Sequence, residues 1–347
     1  MLLLTGALVA AAAFVLVLFG NPGNMGFCIA CFLRDAAGSL GLHSSANVQY
    51  MRPEILGLIL GSFVISLASG EFRPRTGSSP VLRFLIGAGV SIGALVFLGC
   101  PLRMVLRLAA GDFNALFGLL GFVIGIAAGC LVLNLGFSLG PARQTGRIEG
   151  SGISILTIIL FIILIAAPGL LRFSTEGPGS MRAPLFLSLA MGLAVGAMAQ
   201  KSRMCFAGGF RDLFLLRDST LITGLVSLFV ISLVINLVSG NFKPGFEGQS
   251  VAHTQWLWNM LGMVVVGFGS ILLGGCPLRQ LILAGEGNSD SAVTVLGLAA
   301  GGAMAHNFNL ASSTSGTTAG GRAATVLILL FFALVSALVI VSRRRSE

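Results

Sequence analysis

Charge is what this sequence has least of. Asp, Glu, Lys and Arg make up 10% of its 347 residues, against about 25% in a soluble domain. Histidine is scarcer still: His43, His253 and His306 are scattered, and none neighbours a cysteine. Zinc needs such ligands clustered, so no metal site is expected. No nucleotide-binding glycine pattern and no nucleophile–base arrangement is present, so the chain reads as neither a cofactor-dependent protein nor an enzyme. The N-terminus lacks the charged n-region and small-residue cleavage site of a signal peptide. Residues 2–20 therefore read as a retained helix.

What is there instead is apolar. Hydrophobic residues make up 55% of the chain. Several runs, "LTGALVAAAAFVLVLF" and "ISILTIILFIILIAAPGLL" among them, reach the roughly 20 residues that span a bilayer. The expectation is an all-α polytopic membrane protein in a lipid bilayer. Spans are predicted over 2–20, 53–69, 82–99, 114–136, 153–171, 184–200, 219–239, 256–274, 291–308 and 322–342. Four shorter segments lie between them, 25–40, 100–110, 203–217 and 276–286. They are too short to cross, rich in Gly, Cys and Arg, and read as re-entrant. The net charge of +9 would suggest nucleic acid in a soluble protein. Here it reads as loop arginines set by the positive-inside rule, with a bias toward anions. With the N-terminus inside, thirteen of the 21 Lys and Arg fall on inner segments, Arg343, Arg344 and Arg345 among them, and eight fall on outer ones. Both termini are expected on the cytoplasmic side.

The strongest signal is internal repetition. "FCIACFLRD" at 27–35 matches "MCFAGGFRD" at 204–212, an offset of 177. "LGCPLR" at 98–103 matches "GGCPLR" at 274–279, an offset of 176, and "SGEFRP" at 69–74 echoes "SGNFKP" at 239–244, an offset of 170. The chain reads as two homologous halves, about 1–140 and 180–310. A linker helix near 153–171 joins them, and a final helix near 322–342 follows. Four spans per half and one linker invert the second half relative to the first. The four short segments would then meet at the midplane as an hourglass and line the pathway.

The repeat sorts the six cysteines, too few for a disulfide scaffold in a chain of this size. Cys28 pairs with Cys205 and Cys100 with Cys276, one in each short segment. Cys31 falls opposite Gly208, and Cys130 roughly opposite His306. That weighs against a redox motif at Cys28 and Cys31, because the second half keeps one cysteine of the two. Pro after Cys in "GCPLR" places the thiol at a helix start. Free N–H groups and the positive dipole end favour an anion there. A thiol is a soft, weak donor suited to sulfur or selenium in a solute. Arg103 and Arg279, three residues on, suit either an anion or the holding of the loop. Arg34–Asp35 and Arg211–Asp212 read either as structural clamps or as groups steering anions at the mouths. Met25, Met104 and Met204 read as gap-fillers, His306 as a core histidine, and Gly121 and Gly125 as close helix contacts.

The blocks "GNMGFCIACFLRDAAGSLGL", "QYMRPE", "FLGCPLRM", "SRMCFAGGFRD" and "GGCPLRQLILAGEGNSDSAVTVLG" resemble the YeeE/YedE sulfur-transport family. They are most similar to its YedE branch, described as selenium transporters. The resemblance implies an hourglass fold in a bacterial inner membrane that carries thiosulfate or a related anion. It also implies that cysteines on inward-bent loops relay the anion by S–H contacts, which points to Cys28, Cys100 and Cys276, with Cys205 as the fourth repeated position. A small TusA-like sulfur-carrier protein on the cytoplasmic side is the implied partner. Two other classes stand beside this permease. One is a membrane thiol oxidoreductase using Cys28 and Cys31. The other is a membrane scaffold that docks a sulfur carrier.

Overall fold

The computed structural model describes the backbone of residues 1–346 and the side chains of residues 1–342, so the side chains of the three arginines at 343–345 lie outside the described residues. Among the described residues the regular secondary structure is almost all helix. The only strands are a two-residue antiparallel pair, Arg75–Thr76 with Arg143–Gln144. The first half contains α1 (Leu2–Leu18), α2 (Ile29–Ser39), α3 (Pro53–Ala68), α4 (Pro80–Phe97), α5 (Pro101–Ala109) and α6 (Asn114–Asn134). After α7 (Arg147–Ala166) come α8 (Leu185–Ser202), α9 (Phe206–Leu216), α10 (Thr220–Val238), α11 (Trp256–Leu272), α12 (Pro277–Gly285), α13 (Ser289–Asn307) and α14 (Ala319–Ser346).

All ten expected spans are helical, and eight helical stretches are long and apolar enough to cross a membrane. The other two differ for physical reasons. α1 has 17 residues, about 26 Å at 1.5 Å per residue and at the lower limit for a span. α13 is long enough, but Ser289, Asp290, Ser291, Thr294 and His306 dilute its hydropathy. The linker helix also differs from the expected 153–171. It begins a turn and a half earlier at Arg147 and stops at Ala166. Pro168 sits just beyond that end, and the residue before a proline is pushed out of helical conformation. The four short segments become helices of 9 to 11 residues, α2, α5, α9 and α12.

The long helices pack mainly across the two halves. α6 lies along α11 and α4 along α13, while α3 lies along α8 and α1 along α10. Glycines set these distances. A Cβ on Gly121 or Gly125 would overlap the carbonyls of Met260 or Val264 on α11, and one on Gly297 or Gly301 would overlap those of Phe84 or Ala88 on α4. Backbones this close gain dispersion contacts where lipid leaves no hydrophobic drive between helices. α7 covers α3, α12 and α13, and α14 covers α4 and α11.

The direction of α1 defines two faces, one at Met1 and the opposite one at Leu18. The loop after α3 docks on the first face. There Glu71 N and Phe72 N donate to Ser66 O, Arg73 N to Glu286 O and Arg75 N to Gly287 O. The loop after α10 docks on the opposite face by the same pattern. Asn241 N and Phe242 N donate to Asn236 O, Lys243 N to Ala110 O and Gly245 N to Gly111 O.

Gly125→Ala is expected to push α6 off α11 at a cost of about 1–3 kcal/mol, typical of overpacking. A lower thermal midpoint of the purified protein in detergent is the readout. An unchanged midpoint would show that the contact does not limit stability.

Candidate functional site

Each of the four repeated cysteines is the N-cap of a short helix. Cys28 caps α2, Cys100 α5, Cys205 α9 and Cys276 α12, all with extended backbone and all buried. An N-cap leaves the first-turn amides facing its side chain. In two of the four positions the sulfur accepts such an amide, and for Cys100 it is an amide of the other short helix in the same half. Ile29 N, at the start of α2, donates to Cys100 Sγ at 3.2 Å, and the thiol also faces Arg103 N of its own helix. Cys276 Sγ faces Phe206 N, at the start of α9, and Arg279 N of its own helix. Cys205 Sγ accepts from Gly208 N at 3.2 Å.

The cysteines therefore meet as two pairs, each at the crossing of two helix starts. Cys205 and Cys276 lie 3.9 Å apart, sulfur to sulfur. Cys28 neighbours both Cys100 and Cys31. This corrects one sequence argument. The second half lacks a counterpart of Cys31, yet Cys205 still has a thiol neighbour, supplied by another segment. All six cysteines are free. Cys130 stands apart on α6, nearer Arg211 and Asp212.

The charged residues fall out as follows. Asp35 is wholly buried and bridges two guanidiniums, Arg34 at 2.6 Å and Arg52 at 2.8 Å. Arg52 also donates to the carbonyls of Pro178 and Met181 and lies 4.5 Å over the Phe32 ring. This is a clamp that ties α2 to the start of α3 and to the loop before α8. Arg211–Asp212 is a looser pair, 2.7 Å apart with Arg211 34% exposed. Arg103 gives its whole guanidinium to backbone, the carbonyls of Asn24, Leu98, Ser250 and Val251. It holds loops. Arg279 pairs with Glu286 at 3.0 Å.

Sequence reasoning missed three of these groups. Arg52 was only an outer-loop charge in the count. Glu71 and Glu286 drew no attention, although both sit in or beside repeated blocks at positions where the other half has an uncharged residue. His306 packs its ring 5.0 Å from that of His43.

A cavity of about 220 Å³ enters from the opposite face. Its rim carries exposed Asn241, Lys243 and Ser250, and its floor reaches Ala13 and Gly26. Gly26 is two residues from Cys28. Polar groups line the way, Asn24, Asn236 and Ser232, whose buried hydroxyl has no partner. The site thus presents an open polar approach, then a thiol pair at two helix starts, with a second such pair in the other half.

Residues 201–345 match the family model described as Sulphur transport. That stretch of the second half is therefore similar to sulphur-transport sequences. It includes Cys205, Cys276, α9 and α12, so the second thiol pair lies inside the matched stretch. The thiosulfate transporter TsuA of Escherichia coli (strain K12) is 30% identical over 99 residues, 28% of this chain and 28% of that protein. The TsuA protein of Spirochaeta thermophila (strain ATCC 700085 / DSM 6578 / Z-1203) is 30% identical over 103 residues, 30% of this chain and 31% of that protein. The matched stretch spans about three-tenths of the length of these two curated relatives, and both are named as transporters.

Asp35→Asn should leave two buried guanidiniums short of a counter-charge and cost about 3–5 kcal/mol. Asp212→Asn, at the more exposed pair, should cost no more than about 1 kcal/mol. Thermal unfolding of the two purified variants in detergent compares them directly, and equal losses would contradict the difference in burial.

Proposed function

We propose that the chain is a bacterial inner-membrane permease for a small sulfur- or selenium-containing anion. The observation that carries this reading is that four cysteines each start a short helix and meet as two buried pairs, one approached by an open polar cavity. Support comes from the sulphur-transport match and from the relatives' printed names. In this reading the two halves are inverted repeats, the four short helices are re-entrant, and both termini face the cytoplasm.

The mechanism follows from desolvation. An anion leaving water for a low-dielectric interior loses solvation worth several kcal/mol or more. The amides and positive dipole ends at paired helix starts replace part of that hydration. Thiols supply weak S–H donors and a polarisable surface. Such contacts bind a soft terminal sulfur or selenium without holding it, as multi-site conduction requires. The anion would pass from the cavity to Cys28 and Cys100, then to Cys205 and Cys276. Arg34, Arg103 and Asp35 act as scaffold in this scheme, because their polar atoms are engaged by one another or by backbone. Arg211, Asp212 and Arg279 support the other end. Cys31 adds a third thiol to the first pair and favours a softer solute, consistent with a selenium compound. A TusA-like carrier would receive the product at the cytoplasmic face.

Cys100→Ala and Cys276→Ala should each abolish uptake of labelled thiosulfate or selenite by proteoliposomes. Cys130→Ala, outside both pairs, should leave it unchanged. Normal uptake by both of the first two variants would sink the relay. Thiol trapping during turnover tests the redox alternative, which needs a disulfide between Cys28 and Cys31 that cycles with activity. A protein that takes up no anion of either kind would leave the scaffold reading.

A further inference from the structure

The two faces share a backbone pattern but not its side chains. On the Met1 face, Glu71 accepts from Gln200 at 2.7 Å, Lys201 at 3.1 Å and Arg203 at 3.2 Å. Arg203 reaches on to Glu286 at 3.4 Å, and Glu286 to Arg279 at 3.0 Å. The network joins the loop after α3, the end of α8 and both ends of α12. Gln200 and Lys201 hold the Glu71 carboxyl below the usual carboxylate range, so it is ionised at neutral pH.

The offsets of the sequence repeat carry five of these six residues to uncharged positions on the opposite face, while the sixth, Arg279, corresponds to Arg103. Glu71, Glu286, Arg203, Lys201 and Gln200 correspond to Asn241, Ala110, Gly26, Asn24 and Gly23. All five of those residues line the open cavity. The pattern extends to the helices behind them. Ser62 donates to Ile282 O at 2.7 Å, while its counterpart Ser232 lines the cavity with no partner. At these five places one face has uncharged groups around a hollow, whose rim also carries Lys243. The other has ion-paired long side chains in the same places.

We infer that the Glu71–Gln200–Lys201–Arg203–Glu286–Arg279 network is a gate that closes the Met1 face over Cys205 and Cys276, and that Arg203 is the exit residue that takes the departing anion. The inference rests on the permease reading above. Arg203 immediately precedes Met204 and Cys205, terminates α8 in the left-handed conformation at φ 59°, and is 52% exposed. It is therefore two residues from Cys205 and half exposed to solvent. A guanidinium binds an oxyanion with the same planar fork that it offers a carboxylate. A doubly charged anion arriving from Cys205 and Cys276 would displace Glu71 and Glu286 from Arg203, and the displaced network would open the way out. No covalent bond is made or broken.

Alkylation of Cys205 and Cys276 by iodoacetamide, a neutral reagent, reads the gate in purified detergent-solubilised protein without any need for transport. The Glu71→Gln/Glu286→Gln double variant should alkylate at these two positions about tenfold faster than the parent, as a shift in the open population requires. An unchanged rate would overturn the gate. So would an equal gain from Arg147→Gln, an exposed arginine at the start of α7 that is not in the network. In proteoliposomes, Arg203→Gln should lower thiosulfate uptake about tenfold, and Arg203→Lys, which keeps the charge without the fork, should recover part of it. Parental uptake by Arg203→Gln would overturn the exit role. A parent that takes up nothing defeats the permease reading, whereas the alkylation result still judges the gate.

Discussion

A helix that starts or stops in a buried interior leaves polar backbone groups with no water to satisfy them, and most of this molecule follows from that constraint. Four helices begin within the bundle, so four sets of first-turn amides need acceptors. Sulfur supplies several. Cys100 takes the first amide of α2 and Cys205 a first-turn amide of its own helix, while Cys276 faces the first amide of α9. The carbonyls stranded where α4 and α11 break off are met from the same short helices. Arg103 and Arg107 donate to Leu98 and Phe97, and Gln280 donates to Leu273 and Gly275. Polar side chains that look like anion ligands in a linear sequence are therefore largely committed to backbone. What stays available to a solute is the soft sulfur surface and the dipole ends behind it.

This division explains which parts of the site were legible in the sequence. Cys followed by Pro signals a helix start, and a helix of 9 residues between membrane-length runs cannot cross. Both properties are local, so the capping positions of Cys100 and Cys276 followed from spacing, and the repeat extended the reading to Cys28 and Cys205. Pairing is not local. Nothing in "MCFAGGFRD" shows that the thiol partner of Cys205 comes from a segment 71 residues further on. The same holds for the charges. Arg34–Asp35 reads as a pair, but the second guanidinium on Asp35 is that of Arg52, brought there by the turn into α3. Arg103, read as suited to an anion or to a loop, turns out to hold loops because four carbonyls converge on it.

Span prediction shows the same boundary between local and tertiary information. Hydropathy alone runs α4 into α5, α8 into α9 and α11 into α12 as single apolar stretches of 30 to 32 residues. The breaks come from backbone, with left-handed Leu98 and Arg203 and a positive-φ Gly274 just before the cysteines. The Gly-Cys-Pro punctuation marks two of these breaks in the sequence. The third, at Arg203, has neither glycine nor proline and is visible only through its repeat partner.

The departures from symmetry carry more functional information than the symmetry itself. Matched helices and matched loop docking give two equivalent ends, and two equivalent ends cannot by themselves favour a direction or a solute. At position 31 the first half places a thiol against Cys28. At the corresponding Gly208, a Cβ would come within 3.1 Å of the Cys205 Cβ and 3.3 Å of its sulfur. The second pair thus has no room for a third thiol without adjustment, whereas the first is built around one. A solute coming from the cavity would meet three soft groups and then two. The face beyond the second pair replaces neutral residues with opposed charges. In the permease reading, a soft, anionic solute would be drawn in by the first difference and released by the second, because an anion can compete for the guanidinium of Arg203, two residues before Cys205.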